Sequence, residues 1–266
     1  MKIIVTAKQV PDTNEVKIDP VKGTLIREGV PSILNPDDAN ALEAALQLKD
    51  RTPGSTVTVV SMGPNQALVM LHECIAMGAD DAVLLSSRAF GGADTCATST
   101  TLAAGIQKLG DYDIIFAGRQ AIDGDTAQVA PQMAMRLGLP LVTYVQNIVE
   151  INEAEKYVVV ERQLEDGHEV VKLPMPCVLT CVKELNTPRY MTVGRILYAC
   201  ENDSLIKIWN EKDVELDPAN CGLNASPTKV DKSFTPAPKG KGVMLSGTIQ
   251  EMSAELVGML RAKHII

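Results

Sequence analysis

Short apolar runs alternate with helical segments along the first 140 residues, and this alternation constrains the fold more than any other feature of the chain. Runs rich in Val, Ile and Leu at residues 2–7, 57–61, 82–86 and 113–117 have the length and composition of buried strands. Helical segments begin near residues 35, 65, 94 and 126. Aromatic residues make up only 3% of the chain, so the core must consist of small and branched aliphatic side chains. The pattern predicts an α/β fold with a doubly wound, mostly parallel sheet.

The first helix has a clear start signal. Asn35 is expected to cap it, with Pro36 in its first turn and Asp37 and Asp38 beside the positive end of the helix dipole. Gly78 is expected to end the second helix in a left-handed conformation.

The second half of the chain follows a different pattern. Residues 157–163 and 169–173 predict a hairpin around the turn at 165–168, and residues 15–29 predict another around Lys22 and Gly23. Residues 186–241 are rich in Pro, Asn, Asp and Lys and lack periodicity, which predicts an extended arm that packs on a partner. A helix over residues 249–262 ends the chain. The predicted domains are therefore 1–185, 186–241 and 242–266, the first being the nucleotide-binding domain.

Charge and composition exclude several function classes. The net charge of −8 argues against sequence-independent binding to nucleic acid or anionic membranes. Nothing resembles a secretory signal or a membrane span, so a cytoplasmic location is expected. The six scattered cysteines predict reduced, mostly buried thiols. His72, His168 and His264 lie far apart, so neither a metal site nor a catalytic triad is predicted, and any redox chemistry must come from a bound cofactor.

Three loops at predicted strand ends are candidate ligand sites. Residues 118–132 (GRQAIDGDTAQVAPQ) join a strand to a helix, where Gly118 and Gly124 would permit close backbone approach and Asp125 or Thr126 would cap the helix. Thr126 and Gln128 could donate to a phosphate or ribose. Residues 90–95 (FGGADT) form a possible anion-accepting turn, and residues 10–14 (VPDTN) follow the first strand. Ordinary turn chemistry would also explain each loop.

Five motifs in order resemble the beta subunits of electron-transfer flavoproteins from Met1 to about Phe234: KQVPDT, NPDDANALEAALQLKD, VSMGP with AMGADDA, GRQAIDGDTAQV and LNTPRYMTVGRI. The resemblance implies a Rossmann-like domain of the adenine-nucleotide alpha-hydrolase type in a heterodimer with an alpha subunit that holds FAD. It also implies a flavin-dependent dehydrogenase partner of the acyl-CoA or lactate type. The terminal helix would pack on the alpha subunit.

The family has two branches. In the ordinary branch this subunit holds AMP; in the electron-bifurcating branch it holds a second FAD, which takes a hydride from NADH and passes electrons to ferredoxin or flavodoxin and to the alpha-subunit FAD.

The resemblance also implies site residues. The nucleotide would contact Thr6, Ala7, Asn35, Pro36, Asp37, Asp38, Met62, Ala121, Ile122, Asp123, Gly124, Asp125, Thr126, Ala127, Gln128, Val129, Ala130, Pro131 and Gln132. The partner-recognition loop would include Leu185, Pro188, Arg189, Tyr190 and, as its apolar anchor, Ile196.

Two loops resemble the bifurcating branch, in which they line the flavin and NADH sites. Their residues are Pro11, Asp12, Thr13, Phe90, Gly91, Gly92, Ala93, Asp94 and Thr95. A conventional AMP-binding subunit and a non-redox nucleotide sensor remain alternatives, although the sensor would not need the long segment after Asn186.

Overall fold

The structure is a computed structural model that describes residues 1–12, 31–231 and 240–266. Thr13 and the hairpin predicted at residues 15–29 lie outside the described residues. Two compact units are present, one containing residues 1–12 and 31–231 and the other residues 240–266.

Eleven strands and six helices are found among the described residues. The strands are β1 Lys2–Thr6, β2 Gln9–Pro11, β3 Ser32–Leu34, β4 Thr56–Met62, β5 Asp81–Leu85, β6 Ile114–Gly118, β7 Leu141–Asn152, β8 Tyr157–Leu164, β9 Gly167–Pro174, β10 Cys177–Cys181 and β11 Ile206–Trp209. The helices are α1 Pro36–Arg51, α2 Leu68–Met77, α3 Thr95–Leu109, α4 Val129–Leu137, α5 Val193–Glu201 and α6 Ile249–Ala262.

Nine strands form one sheet in the order β11-β5-β4-β1-β6-β10-β7-β8-β9. Neighbouring strands are parallel from β11 to β7, whereas β8 and β9 extend the sheet as an antiparallel meander. Strands β2 and β3 form a separate antiparallel pair that leads into α1. The parallel strands are continuous apolar runs because helices cover both of their faces.

Both faces of the sheet carry a core. Ile3 and Val5 of β1 belong to a cluster with side chains of α1 and α2, whereas Ile4 belongs to a second cluster with side chains of α3 and α4. The alternation along one strand shows that the sheet is doubly wound, as predicted. Gly78 follows α2 with a φ of +142°, a conformation that favours glycine.

The prediction that residues 186–241 form an irregular arm was wrong for residues 193–209. Helix α5 packs against α2, and β11 pairs with β5 as the edge strand of the main sheet. The first unit therefore extends to Asp231, and the predicted boundary after residue 185 falls inside it. A four-residue strand among polar residues is too short to show a recognisable period. Its pairing partner β5 lies more than 120 residues earlier, so no local pattern reveals the pairing.

In the second unit, α6 spans the predicted residues. The Thr248 side chain accepts from the N–H of Glu251, and the Glu251 carboxylate accepts from the N–H of Thr248, which together form a capping box. No helix in the described ranges has both the length and the apolar character needed to cross a membrane.

Candidate functional site

The ends of β1, β4 and β6 meet the start of α1 at one edge of the sheet. Thr6 ends β1 and Ala7 follows it, both in buried positions, and the N–H of Ala7 donates to the carbonyl of Val60 at 3.0 Å. Pro36 opens α1 in an exposed position, and Met62, half-buried, ends β4. Parallel α/β sheets bind ligands at this carboxyl edge.

The Asn35 side chain holds the loop that follows β6. It is completely buried; its amide donates to the carbonyl of Gln120 at 2.8 Å, and its carbonyl accepts from the N–H of Ile122 at 3.1 Å. Asn35 occupies the N-cap position, as predicted, but its side chain makes no capping bond. The amide is engaged by a loop more than 80 residues along the chain.

The Asp38 carboxylate joins two strand ends. Oδ2 accepts from the N–H of Lys8 at 2.8 Å, and Oδ1 accepts from the N–H of Gly118 at 2.9 Å. Burial raises the pKa of Asp38 to about 7, and the two backbone donors oppose that shift. A Cβ at Gly118 would lie 2.3 Å from Oδ1, so the close approach expected at this glycine is made by α1.

Two ion pairs flank these contacts. Lys8 Nζ lies 2.6 Å from Asp123 Oδ1, and Arg119 Nε lies 3.3 Å from Asp37 Oδ2. The second pair is close enough for electrostatic attraction, yet its geometry is not that of a hydrogen bond, and neither atom has another partner in the described ranges. Burial raises the pKa of Asp37, and Arg119 partly offsets the rise. Sequence analysis did not single out Lys8 or Arg119; the only signal was a basic residue close behind an apolar strand.

The loop after β6 leads into α4, whose first backbone N–H groups are free of partners among the described residues. Asp125 and Ala127 have φ of +54° and +51°, and α4 begins only at Val129, so the predicted helix start at Thr126 was wrong. The N-cap residue is Gln128 rather than Asp125 or Thr126, and its side chain makes no capping bond. Within the described part of the chain, no group accepts from the N–H of Val129 or Ala130.

The candidate loops before α3 and before α4 are in contact. Thr95 Oγ1 donates to Gln128 Oε1 at 3.2 Å, and Gln132 Nε2 donates to Thr95 Oγ1 at 3.4 Å. Of the residues predicted from the family motif, Ile122, Gly124, Asp125, Thr126 and Gln128 are exposed, Ala121, Asp123, Ala127, Val129, Pro131 and Gln132 are half-buried, and Ala130 is buried.

The loop at residues 90–95 is partly covered by its own chain. Phe90 is 4% exposed and belongs to the core, so its side chain is not available to a ligand. Asp94 caps α3 through the N–H of Ala97 at 3.0 Å and also accepts from the N–H and hydroxyl of Thr228 at 3.0 and 2.8 Å. Gly92 adopts a φ of +70°, and a Cβ built there would lie 3.2 Å from the Leu223 side chain. The segment 222–228, which sequence analysis overlooked, thus fixes this loop.

The third candidate loop lies in the strand pair that leads to α1. Pro11 belongs to β2, and the N–H of Asp12 donates to the carbonyl of Pro31 at 2.7 Å. The pair ends directly before Asn35, whose N–H donates to the carbonyl of Lys8 at 2.9 Å. Pro11 and Asp12 are therefore close in the chain to the α1 start.

The described residues contain no group of three or more His, Cys, Asp or Glu side chains that could hold a metal ion. All six cysteines are free thiols, and Cys74, Cys177, Cys181 and Cys221 are buried. The edge offers backbone donors, cations and hydroxyl groups, which suit a bound nucleotide.

Comparisons with known proteins identify the family. A family model described as the electron transfer flavoprotein domain matches residues 22–198. The chain belongs to the electron transfer flavoprotein family. Along its whole length and theirs, it is 62% identical to the caffeyl-CoA reductase-Etf complex subunit CarD of Acetobacterium woodii and 57% identical to the electron transfer flavoprotein subunit beta of Clostridium acetobutylicum. The acryloyl-CoA reductase electron transfer subunit gamma of Anaerotignum propionicum is 48% identical over the whole of both chains.

These relatives confirm the predicted resemblance, and the chain is an electron transfer flavoprotein beta subunit. In this subunit the segment predicted to recognise a partner is tied to α1. Arg189 Nε donates to Glu43 at 2.8 Å and Nη2 to Asp50 at 2.9 Å, while the Asn40 amide donates to the carbonyl of Asn186 at 2.8 Å.

The side chains of this segment differ widely in exposure. Tyr190 is 96% exposed and Val193 75%, whereas the predicted anchor Ile196 is 39% exposed and Leu185 and Pro188 are half-buried. Val193, which sequence analysis did not select, therefore offers a partner more apolar surface than Ile196 does.

Proposed function

We propose that this beta subunit binds FAD at the carboxyl edge of the sheet and accepts reducing equivalents from NADH within a cytoplasmic heterodimer with an electron transfer flavoprotein alpha subunit. Bound FAD would supply the redox chemistry, dividing electrons between a low-potential acceptor, ferredoxin or flavodoxin, and the alpha-subunit FAD. The latter would serve a flavin-dependent dehydrogenase of the acyl-CoA or lactate type. The names of two relatives, which refer to caffeyl-CoA reductase and acryloyl-CoA reductase, support the acyl-CoA type.

The open start of α4 carries this proposal. Val129 and Ala130 present N–H groups that nothing in the described chain accepts, and the preceding loop holds two non-glycine residues at positive φ. Free N–H groups at a helix start bind pyrophosphate, and unusual backbone conformations at such a place point to function. Across the edge, the buried Ser61 hydroxyl has no protein partner in the described ranges, which fits a polar ligand group there.

The contact between the two loops supports a redox role. Thr95 and Gln128 bring residues 90–95, expected from the bifurcating branch, against the loop expected to hold the nucleotide. NADH bound along residues 91–95 would therefore lie beside a flavin held by residues 121–132. Lys8, whose side chain is 47% exposed, can offset the charge of bound phosphates if it leaves Asp123.

The test is an anaerobic titration of the purified heterodimer with NADH, followed by the visible absorbance of flavin. NADH should bleach the beta-site flavin; a heterodimer inert to NADH would contradict the proposal.

A variant pair tests the site itself. Gln128→Glu places a negative charge at the open helix start and should weaken FAD binding on the order of tenfold, because it repels the phosphates. Gln107→Glu, the same change at an exposed position near the end of α3, should leave FAD binding unchanged. Equal FAD affinity in the two variants would argue against a pyrophosphate at α4.

A further inference from the structure

Two side chains at the start of α1 make hydrogen bonds to the protein backbone, although the family resemblance implies that they contact the nucleotide. Asn35 is completely buried and holds the loop after β6 at Gln120 and Ile122. Asp38, 7% exposed, holds the backbone of Lys8 and Gly118. These bonds fix the end of β1 against the beginning of the loop that leads to α4.

We propose that Asp38 is a positioning residue for the nucleotide: its ionised carboxylate keeps the end of β1 and the start of the loop at residues 118–128 in register, so nucleotide affinity depends on its charge. This inference rests on the proposed function, because it assumes a nucleotide at this edge. Asp38 acts through Lys8 and Gly118 and does not itself touch the ligand.

The chemistry of a carboxyl group explains the dependence on charge. An ionised carboxylate accepts hydrogen bonds at both oxygens, as the contacts to Lys8 and Gly118 require. The protonated form carries a hydrogen on one oxygen, which becomes a donor and a poorer acceptor, so its bond to the facing N–H is weakened. Since burial raises the pKa of this carboxyl to about 7, both forms are populated near neutral pH.

Charged and titratable groups surround Asp38 on several elements. Asp37 on α1 faces Arg119, and Lys8 pairs with Asp123. The thiols of Cys74 on α2 and Cys181 on β10 lie nearby, and burial raises the pKa of both well above the usual range, so they stay neutral.

The experiment measures FAD affinity of the nucleotide-depleted heterodimer, by recovery of bound flavin, between about pH 6 and about pH 8. The wild-type affinity should rise about tenfold with pH, which corresponds to one hydrogen bond to a charged group. Asp38→Asn, whose amide can accept only one of the two N–H groups, should bind FAD at the weaker level with no pH slope. Asn40→Ala is the control, because it removes another buried polar side chain of α1. The Asn40 side chain bonds to Asn186 and not to Lys8 or Gly118, so this variant should keep the wild-type pH slope.

The wild-type profile needs no variant, so the inference stays testable if Asp38→Asn fails to fold. A flat wild-type profile, or the same slope in Asp38→Asn, would overturn the positioning role while FAD binding itself upheld the proposed function. Uptake of AMP but not FAD would overturn the redox proposal. A rise of AMP affinity with pH would then support the positioning role, and a flat AMP profile would refute it. If neither nucleotide bound, both proposals would fall.

Discussion

Replacing Gly118 with alanine should disrupt the junction between α1 and β6. The new Cβ would lie 2.3 Å from Oδ1 of Asp38, 2.7 Å from its backbone nitrogen and 2.8 Å from the carbonyl carbon of Asp37. Two of these atoms belong to the backbone of α1, so a rotamer change cannot relieve the clash. Overpacking of this kind costs about 1–3 kcal/mol, and loss of the Gly118–Asp38 hydrogen bond adds on the order of 1 kcal/mol. The free energy of unfolding should therefore fall by about 2–4 kcal/mol.

Thermal unfolding of the nucleotide-depleted heterodimer measures the effect. A loss of this size should lower the midpoint by roughly 4–8 °C. Gly124→Ala is the matched control, because it lies in the same loop, its φ is not positive and a Cβ there meets no atom of the described residues within 4 Å. If Gly118→Ala unfolded at the same temperature as Gly124→Ala, the clash inferred at Asp38 would be refuted.

Three further predictions concern the Gly92 turn, the Asp38 carboxyl and the segment after Asn186. Gly92→Ala should lower the free energy of unfolding by about 1–2 kcal/mol, because Gly92 has a φ of +70°, whereas Gly91→Ala should have a smaller effect; equal denaturation midpoints would contradict this. In the nucleotide-free heterodimer, the raised pKa of Asp38 means that the folded chain holds a proton that the unfolded chain releases near pH 4. The free energy of unfolding should then fall by at most about 4 kcal/mol as pH rises from about 4 to about 7. Thermal midpoints measured across this range should show the fall in the wild type and not in Asp38→Asn. Val193→Asp should slow electron transfer to an acyl-CoA dehydrogenase more than Ile196→Asp does, without changing FAD content, because Val193 is 75% exposed and Ile196 39%; stopped-flow rates in the reverse order would restore Ile196 as the anchor.

The sheet and its covering helices could be predicted because buried parallel strands are continuous apolar runs. Helix starts were harder to predict. Asn35 has the residue type and place of a cap, but its side chain bonds to Gln120 and Ile122 far along the chain. The start of α4 was misplaced because Asp125 and Ala127 adopt positive φ, which an alanine does not signal.

The candidate site was predictable as a set of strand ends, since topology brings these together at one edge. The bonds that shape it were not predictable, because they join residues distant in sequence: Asp38 with Gly118, and Asp94 with Thr228. Strand β11 escaped recognition for the same reason, since only its pairing with β5 distinguishes it from a loop.

The FAD and AMP content of the purified heterodimer decides which nucleotide this subunit binds. Nucleotides released by denaturation can be separated by chromatography and counted per heterodimer. About two FAD and no AMP are expected if the edge formed by α1, β1, β6 and the start of α4 holds a flavin. One FAD and one AMP would contradict the redox role and leave this chain as a structural subunit that docks a dehydrogenase.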